Sequence, residues 1–428
     1  MGKYYKITFL GDFMCEGTLL NTAKNGDVYD FMKSFEKIKT KLSSSNLVIG
    51  NFESVLTGKD YTAYPNVFRT PDTFAKAIKH AGIDILTTVN NHSLDGGLEG
   101  VRRTHRVLQN MGFEVIGTMP ERQDNYLIIE TEIGRVAFLA YTESLNNIVQ
   151  DDFMDIAIED YINLLCPLPT KKELLALKRR AYTGFSGSVK YIISRMLSFK
   201  YMKKVKKWLH SMTFSKRKPT VPFQIDQLTD RHQNKKFLES IKNDVLKAKA
   251  NSDFVFACCH AGGQYNQQPG TYLSFLRKFF RELGITAFIG NHPHVIQKAD
   301  FHEYDQETEQ QSVYSEFNSL GSIIQTIDGY RQNDPALPEY SLAAHYYFNY
   351  ETKQIEIITF SILGIIVDET RYQYVYPLED IVKEFPEKKQ KIKQDIMNLL
   401  NRIHSKEIFL DQDQVEIKSE YDFFIRTT

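Results

Sequence analysis

The chain has 428 residues, 42% of them hydrophobic, enough apolar material for a large core or for more than one domain. Its 53 basic residues balance 53 acidic ones, so no global field selects a nucleic acid or a membrane as partner. Four cysteines (Cys15, Cys166, Cys258 and Cys259) are too few and too irregularly spaced for a disulfide framework or a zinc knuckle.

From the N-terminus, MGKYYKITFLGD runs straight into an apolar stretch with no small-residue cleavage site. No later stretch reaches the roughly 18 uninterrupted apolar residues of a membrane-spanning helix, so a cytoplasmic location is expected. Strands are expected at Tyr5–Leu10, Leu47–Phe52, Ile83–Val89, Glu114–Ile116, Leu127–Ile129 and Val136–Tyr141. Between them, Phe74, Ala77, Ile78 and Ala81 share one helical face, and Leu98, Val101, Leu108 and Met111 mark a second helix opened by Gly96-Gly97.

From about 150 to 225 the alternation breaks, and this stretch reads as an insertion. Its first part, DDFMDIAIEDY, is acidic. Within 171–218 there are 15 Lys or Arg and one acid, Glu173, leaving 38 basic and 52 acidic residues elsewhere, a net −14. Apolar residues, among them Phe199 and Trp208, interleave with the basic ones, the pattern of a basic helical insertion. After 226 the pattern resumes: a helix through Phe237, Leu238, Ile241 and Val245, a strand Phe254–Cys258, a helical stripe from Tyr272 to Leu283, and a strand Ile285–Ile289. Residues 312–365 favour β structure, notably Ser341–Phe348 and Gln354–Leu363. The tail, 366–428, holds one plausible helix near Ile392–Ile403 and reads as a C-terminal extension. The core is therefore assigned to 1–149 and 226–365, a layered α/β sandwich.

Five short motifs follow the apolar runs: Asp12 in FLGDF, Asn51 and Glu53 in GNFES, Asn91-His92 in TVNNHS, His260 in ACCHAGG, and His292-Pro-His294 in IGNHPHV. Loops after parallel strand ends converge on one face, so motifs scattered in sequence can form one cluster. Carboxylate, amide and imidazole together are the donors of a two-metal hydrolytic centre. Each motif also has a plainer explanation. Asp12, behind Gly11, can be a turn aspartate. Asn51 and Glu53 can be an ordinary polar pair at a strand edge, with Phe52 turned into the core. Asn91 can occupy a left-handed turn position, and His260 can be a satisfied structural histidine. His92 can move a proton near neutral pH, with Asp95 orienting its ring. The HPH pair favours metal, because two imidazoles at i and i+2 project to one side of an extended turn stiffened by proline.

With these residues in hand, the chain resembles the CapA family of capsule and poly-gamma-glutamate biosynthesis proteins, a branch of the calcineurin-like metallophosphoesterase superfamily. The resemblance rests on Gly11-Asp12, Asn51-Phe52-Glu53, NNHSLDGG from Asn90 to Gly97, and His292-Pro293-His294-Val295-Ile296-Gln297. Tyr314-Ser315 with Asn318 looks like a further shared block. It implies a four-layer α-β-β-α sandwich and two divalent ions, Mn, Fe or Zn. One ion would take Asp12, Glu53 and His294, the other Glu53, Asn91, His260 and His292. His92 would act as general acid beside Asp95, and Asn51, Asn90, Tyr265 and Asn318 would face substrate. Two positions depart from the pattern. Met14 stands where the superfamily often has histidine, and Ala261 to Tyr265 stand where the family usually reads tryptophan-glycine-x-glutamate-tyrosine.

Two functions are expected to compete. One is metal-dependent hydrolysis or transfer at a phosphoester or glutamyl-type linkage in an anionic polymer. The other is a non-catalytic assembly component whose basic segment, 171–218, lies on an anionic membrane or grips a polyanion. A solvated helix face explains the same charges. Nucleic acid is the weakest partner, because no recognised binding fold is present and the acidic remainder repels phosphate.

Overall fold

A computed structural model of the chain describes residues 3–63, 67–118, 124–146, 158–168, 226–303, 313–328, 331, 334–405, 408 and 411–426. Two sheets carry the fold. The first runs in the order Gln373–Pro377, Ile355–Val367, Tyr340–Asn349, Tyr4–Phe13, Leu47–Phe52, Ile85–Thr87 and Glu114–Ile116. Ser322–Ile324 pairs beside Tyr4–Phe13, and Tyr421–Ile425 beside Ile355–Val367. The second runs Ala299–Glu303, Val313–Phe317, Ala287–Asn291, Phe254–His260, Gly134–Thr142 and Tyr126–Thr131.

Side chains alternate across each strand, so one strand serves two interfaces. In Phe254–His260, Val255, Ala257 and Cys259 pack with Ile241 and Val245 of the helix Lys235–Asn251 and with Leu273, Leu276 and Phe280 of the helix Thr271–Glu282. Phe256 points the other way, its ring 4.9 Å from Phe9 of the first sheet. Tyr346 closes the same inter-sheet cluster, 5.6 Å from Phe9 and hydrogen-bonded to Ser315 at 2.7 Å. On its outer face the first sheet presents Leu10, Val48 and Leu86 to Phe35, Ile38, Phe74, Ile78 and Leu108. These come from the helices Met32–Leu42, Asp72–His80 and Gly97–Asn110. The layers are therefore helix, sheet, sheet, helix, as expected. All four cysteines are buried free thiols.

Several boundaries differ from the sequence reading. Gly11 lies inside the strand Tyr4–Phe13 rather than at a turn, and its need is space: a Cβ there would sit 1.8 Å from Gly321 O. Residues 158–166, assigned to the insertion, pack along the core instead. Thr142 N–H donates to Asn163 O and Leu165 N–H to Thr142 O, and Ile162 and Cys166 are buried. The basic stretch 171–218 lies outside the described residues. The tail, set apart as an extension, supplies two strands of the first sheet together with the helices Leu378–Glu384 and Lys389–His404. Among the described residues no helix is long and apolar enough to cross a membrane.

A buried polar network ties that tail to the sheet. His345 meets Thr8 Oγ1 through Nδ1 at 2.8 Å and Ser361 Oγ through Nε2 at 2.9 Å. Ser361 Oγ donates to Ser419 O at 2.7 Å, and Lys6 pairs with Glu420 at 2.7 Å. Burial, helped by the nearby Lys6 charge, lowers the His345 pKa to about 3. A free histidine titrates near 6.5, so between those values the unfolded chain binds a proton that the folded chain refuses. Stability should therefore fall as pH drops from about 6.5 towards 3, by up to ~1.4 kcal/mol per pH unit from this residue. Urea unfolding at pH 7, 5 and 4 checks this. His345→Gln should flatten the acid loss, and an unchanged slope would assign it to another group.

Candidate metal centre

Strand register sets the cluster. In the first sheet Asp12 pairs with Asn51, and Asn51 with Thr87. In the second, Thr142 pairs with His260, and His260 with Asn291. These are the carboxyl ends of parallel strands, and residues paired across parallel neighbours share a face. Each row therefore looks into the space between the sheets. The loop after Asn291 brings in the remaining imidazoles through an unusual backbone: His292 has φ +98° and His294 φ +58°. The expected extended turn is thus corrected to a left-handed one on both sides of Pro293, a conformation that costs about 1–3 kcal/mol per residue and recurs at functional sites.

Six residues read as metal donors converge. Glu53, His260 and His292 offer ligand atoms all within 4.8 Å of one another, and so do Asp12, Glu53 and His294. Asn91 Oδ1 lies 2.9 Å from His260 Nε2, and His292 Nδ1 lies 2.9 Å from that same nitrogen. Asp12 Oδ2 receives the His292 backbone N–H at 3.2 Å and faces His294 Nδ1 at 3.1 Å. Asn91 lies in a turn but not in the left-handed conformation, so the left-handed explanation for it falls away.

Electrostatics separate the two carboxylates. Burial opposes ionisation of Asp12, but hydrogen bonds and charge from His260 and His294 outweigh it and hold its carboxyl well below the usual range. Glu53 is 0% exposed and neither of its oxygens has a hydrogen-bond partner. Burial, with Asp12, Glu16 and Asp95 nearby, pushes its pKa well above normal. Burial also lowers His260 and His292, which keeps both imidazoles neutral with lone pairs to offer. A buried, unpaired carboxylate among neutral imidazoles is a donor set that a divalent cation completes. The residues present therefore fit a metal ion.

His92 is fixed from several sides. Asp95 Oδ2 lies 2.6 Å from its Nδ1, and Phe68 stacks on the ring at 3.9 Å. Asp95 is itself held by the Phe68 N–H at 2.6 Å. Asn90 accepts the His92 N–H through its side-chain oxygen at 3.0 Å and donates to Phe52 O at 2.9 Å, which joins the two loops. Asn51 donates to Asp12 Oδ1 at 2.7 Å and accepts from Thr87 Oγ1 at 2.9 Å, beneath the carboxylates.

The other expected substrate contacts divide. Tyr265 is half-buried with its ring 5.7 Å from His294, and its hydroxyl donates to Gln325 at 3.2 Å. Gln264 Nε2 lies 3.5 Å from His294 Nε2. Asn318 is not drawn into the cluster. It is 0% exposed and donates to Lys298 O at 2.6 Å, bracing the chain beyond the strand Val313–Phe317. Met14, at the position where superfamily members often carry histidine, accepts from Ser322 Oγ at 3.5 Å, and that hydroxyl also lies 3.1 Å from His294 Nδ1.

Sequence reasoning passed over Glu143 and His232. Glu143 Oε2 receives the Gly262 N–H at 3.2 Å and so anchors the loop leaving His260, while its Oε1 faces His232 at 3.1 Å and Arg231 at 3.2 Å. Glu143 directly follows a strand, the same signal that marked the other motifs.

Comparisons with known proteins bear on this arrangement. A profile described as bacterial capsule synthesis protein PGA_cap matches residues 6–315. The capsule biosynthesis protein CapA of Bacillus anthracis is 24% identical over 343 residues, 78% of this chain and 63% of that protein. Two uncharacterized proteins of Sinorhizobium fredii are also similar. Protein y4sH is 22% identical over 70% of this chain and 63% of its own length, and y4uA is 23% identical over 63% and 58%. The chain thus spans about three fifths of the length of these curated relatives. The profile runs from the first strand to Ser315, across Asp12, Glu53, Asn91, His260, His292 and His294, and on that coverage the chain belongs to the PGA_cap family of bacterial capsule synthesis proteins.

Proposed function

We propose that this protein is a metal-dependent hydrolase or transferase of capsule or exopolymer production, acting on a phosphoester or another linkage in an anionic polymer. The observation that carries the reading is Glu53, a fully buried carboxylate with no hydrogen-bond partner, shared by both groups of converging donors. In this reading Asp12, Glu53 and His294 hold one divalent ion, and Glu53, Asn91, His260 and His292 hold a second. Bound cations supply Lewis-acid charge for an anionic substrate oxygen. His92 supplies the proton, its ring oriented by Asp95 and Phe68 and its Nε2 turned to the cluster, 3.9 Å from Glu53 Oε1. Half-buried Tyr265 lines the approach.

Elemental analysis of the purified protein should find bound Mn, Fe or Zn, and Glu53→Ala or His292→Ala should remove most of it. Absence of metal from the wild type, with no binding on addition of Mn²⁺, would falsify the centre. On a panel of model phosphodiesters and phosphomonoesters, His92→Asn should lower kcat by about 10²- to 10⁴-fold, the usual contribution of a positioned acid or base. Metal content and KM should stay near wild type. If His92→Asn turns over like wild type, the proton comes from elsewhere.

The basic stretch supports a second role on the same chain. Fifteen cationic side chains with one acid within 171–218, against a net −14 elsewhere, suit peripheral attachment to an anionic membrane or polymer. The protein should sediment with vesicles containing phosphatidylglycerol at low salt and release by about 0.5 M salt, where the screening length falls to a few ångströms. Removing 171–218 should abolish sedimentation, and unchanged binding would end this role.

A further inference from the structure

Asn146 lies four residues beyond the strand Gly134–Thr142, and its sequence setting does not mark it. Its side-chain Oδ1 accepts from Asn91 Nδ2 at 3.3 Å. Its Nδ2 lies 3.0 Å from His92 Nδ1 and 3.4 Å from His92 Nε2. Its backbone N–H separately donates to Asn91 O at 2.8 Å.

An asparagine amide can hold a cation only through its oxygen, yet its two ends have nearly the same shape. What pairs with the nitrogen end therefore decides which atom faces the cluster. Asn146 Oδ1 takes that nitrogen end of Asn91. Asn91 Oδ1 is thereby left on the ligand side, 2.9 Å from His260 Nε2. Through its other end the same amide reaches the His92 ring, whose Nδ1 is engaged by Asp95 and whose face is covered by Phe68. One side chain thus touches both a candidate ligand and the candidate acid.

We propose that Asn146 is a positioning residue for the centre: it orients the Asn91 oxygen towards the cation and holds the His92 ring for proton transfer. This rests on the metal-centre reading above. A merely structural Asn146 would close the turn, and that work belongs to its backbone N–H, which Asn146→Ala leaves in place. The side-chain role is therefore separable from the fold.

The test uses the full chain, stripped with EDTA and titrated with Mn²⁺ by calorimetry, with thermal melting of the stripped forms as the check on folding. Asn146→Ala should weaken Mn²⁺ binding by about 10- to 100-fold, the usual effect of losing a group that orients a ligand, with melting close to wild type. Asn146→Asp keeps an oxygen for Asn91 Nδ2 and should recover the affinity. It also sets a negative charge against the His92 ring, which then holds its proton more tightly, so its kcat should stay depressed while its KM stays near wild type. Wild-type affinity in Asn146→Ala overturns the proposal alone, as does failure of Asn146→Asp to restore binding. A wild type that binds no Mn²⁺ overturns this proposal and the metal-centre reading together.

Discussion

The constraint on which the site depends is the burial of Glu53. Moving an ionised carboxylate from water into a protein interior costs several kcal/mol even after relaxation, unless donors or a cation compensate. Around Glu53, among the described residues, the protein supplies neither hydrogen-bond donors nor a Lys or Arg side chain in contact. It surrounds the group with another carboxylate, Asp12, and with imidazoles that burial drives towards their neutral forms. Two arrangements satisfy such a site: a proton held by Glu53, or a metal ion held by Glu53 and its neighbours. The second uses every converging donor, and it explains why Asp12 and three histidines aim lone pairs at the same small volume.

The scaffold achieves that convergence through register rather than through any single loop. Asp12, Asn51 and Thr87 form one row across the first sheet, and Thr142, His260 and Asn291 another across the second. A one-residue slip in either sheet would turn a whole row towards the helices. The aromatic cluster of Phe9, Phe256 and Tyr346 sits below these rows and holds the sheets together. Gly11 admits the Gly321 carbonyl beside Asp12, so the approach of Ser322–Ile324 to the first strand depends on a missing side chain. The strained φ values at His292 and His294 belong to the same design, with tertiary packing compensating a local cost so that both rings face inward.

Much of this was legible in the sequence, and the misses have physical causes. The strands Leu47–Phe52 and Glu114–Ile116 matched residue for residue, the first because a largely apolar run marks a strand buried on both faces. The helix Met32–Leu42 was overlooked although Phe35, Ile38 and Leu42 carry its period, since the intervening lysines dilute the signal. The tail strands Gln373–Pro377 and Tyr421–Ile425 are short, polar-flanked sheet additions whose pairing is decided by contacts far away in sequence. At the site, side chains that donate a lone pair stood out by type. Residues that act by orienting others, such as Asn146 and Glu143, have no type of their own. Asn318 shows the converse: its amide nitrogen braces the Lys298 carbonyl, a task that its place after a strand did not reveal.

The family relationship and the local chemistry also divide the question of substrate. The profile matched over residues 6–315 establishes the family, while the substrate depends on the charge the centre presents. Where the family resemblance led to a glutamate in the loop after the single histidine, this chain has Gln264, an amide 3.5 Å from His294 Nε2. Of the other nearby acids, Glu16 is paired with Arg331, and Asp95 is engaged by His92 and the Phe68 N–H. The carboxylates left in the donor set are Asp12 and Glu53. Two divalent ions held by them would leave an excess of positive charge in a water-poor site, where Coulomb interactions are several times stronger than in bulk water. In the proposed reading, such a centre would favour a substrate that brings its own negative charge. In that reading Gln264 adds no negative charge beside His294 and would leave the donors that build the site undisturbed.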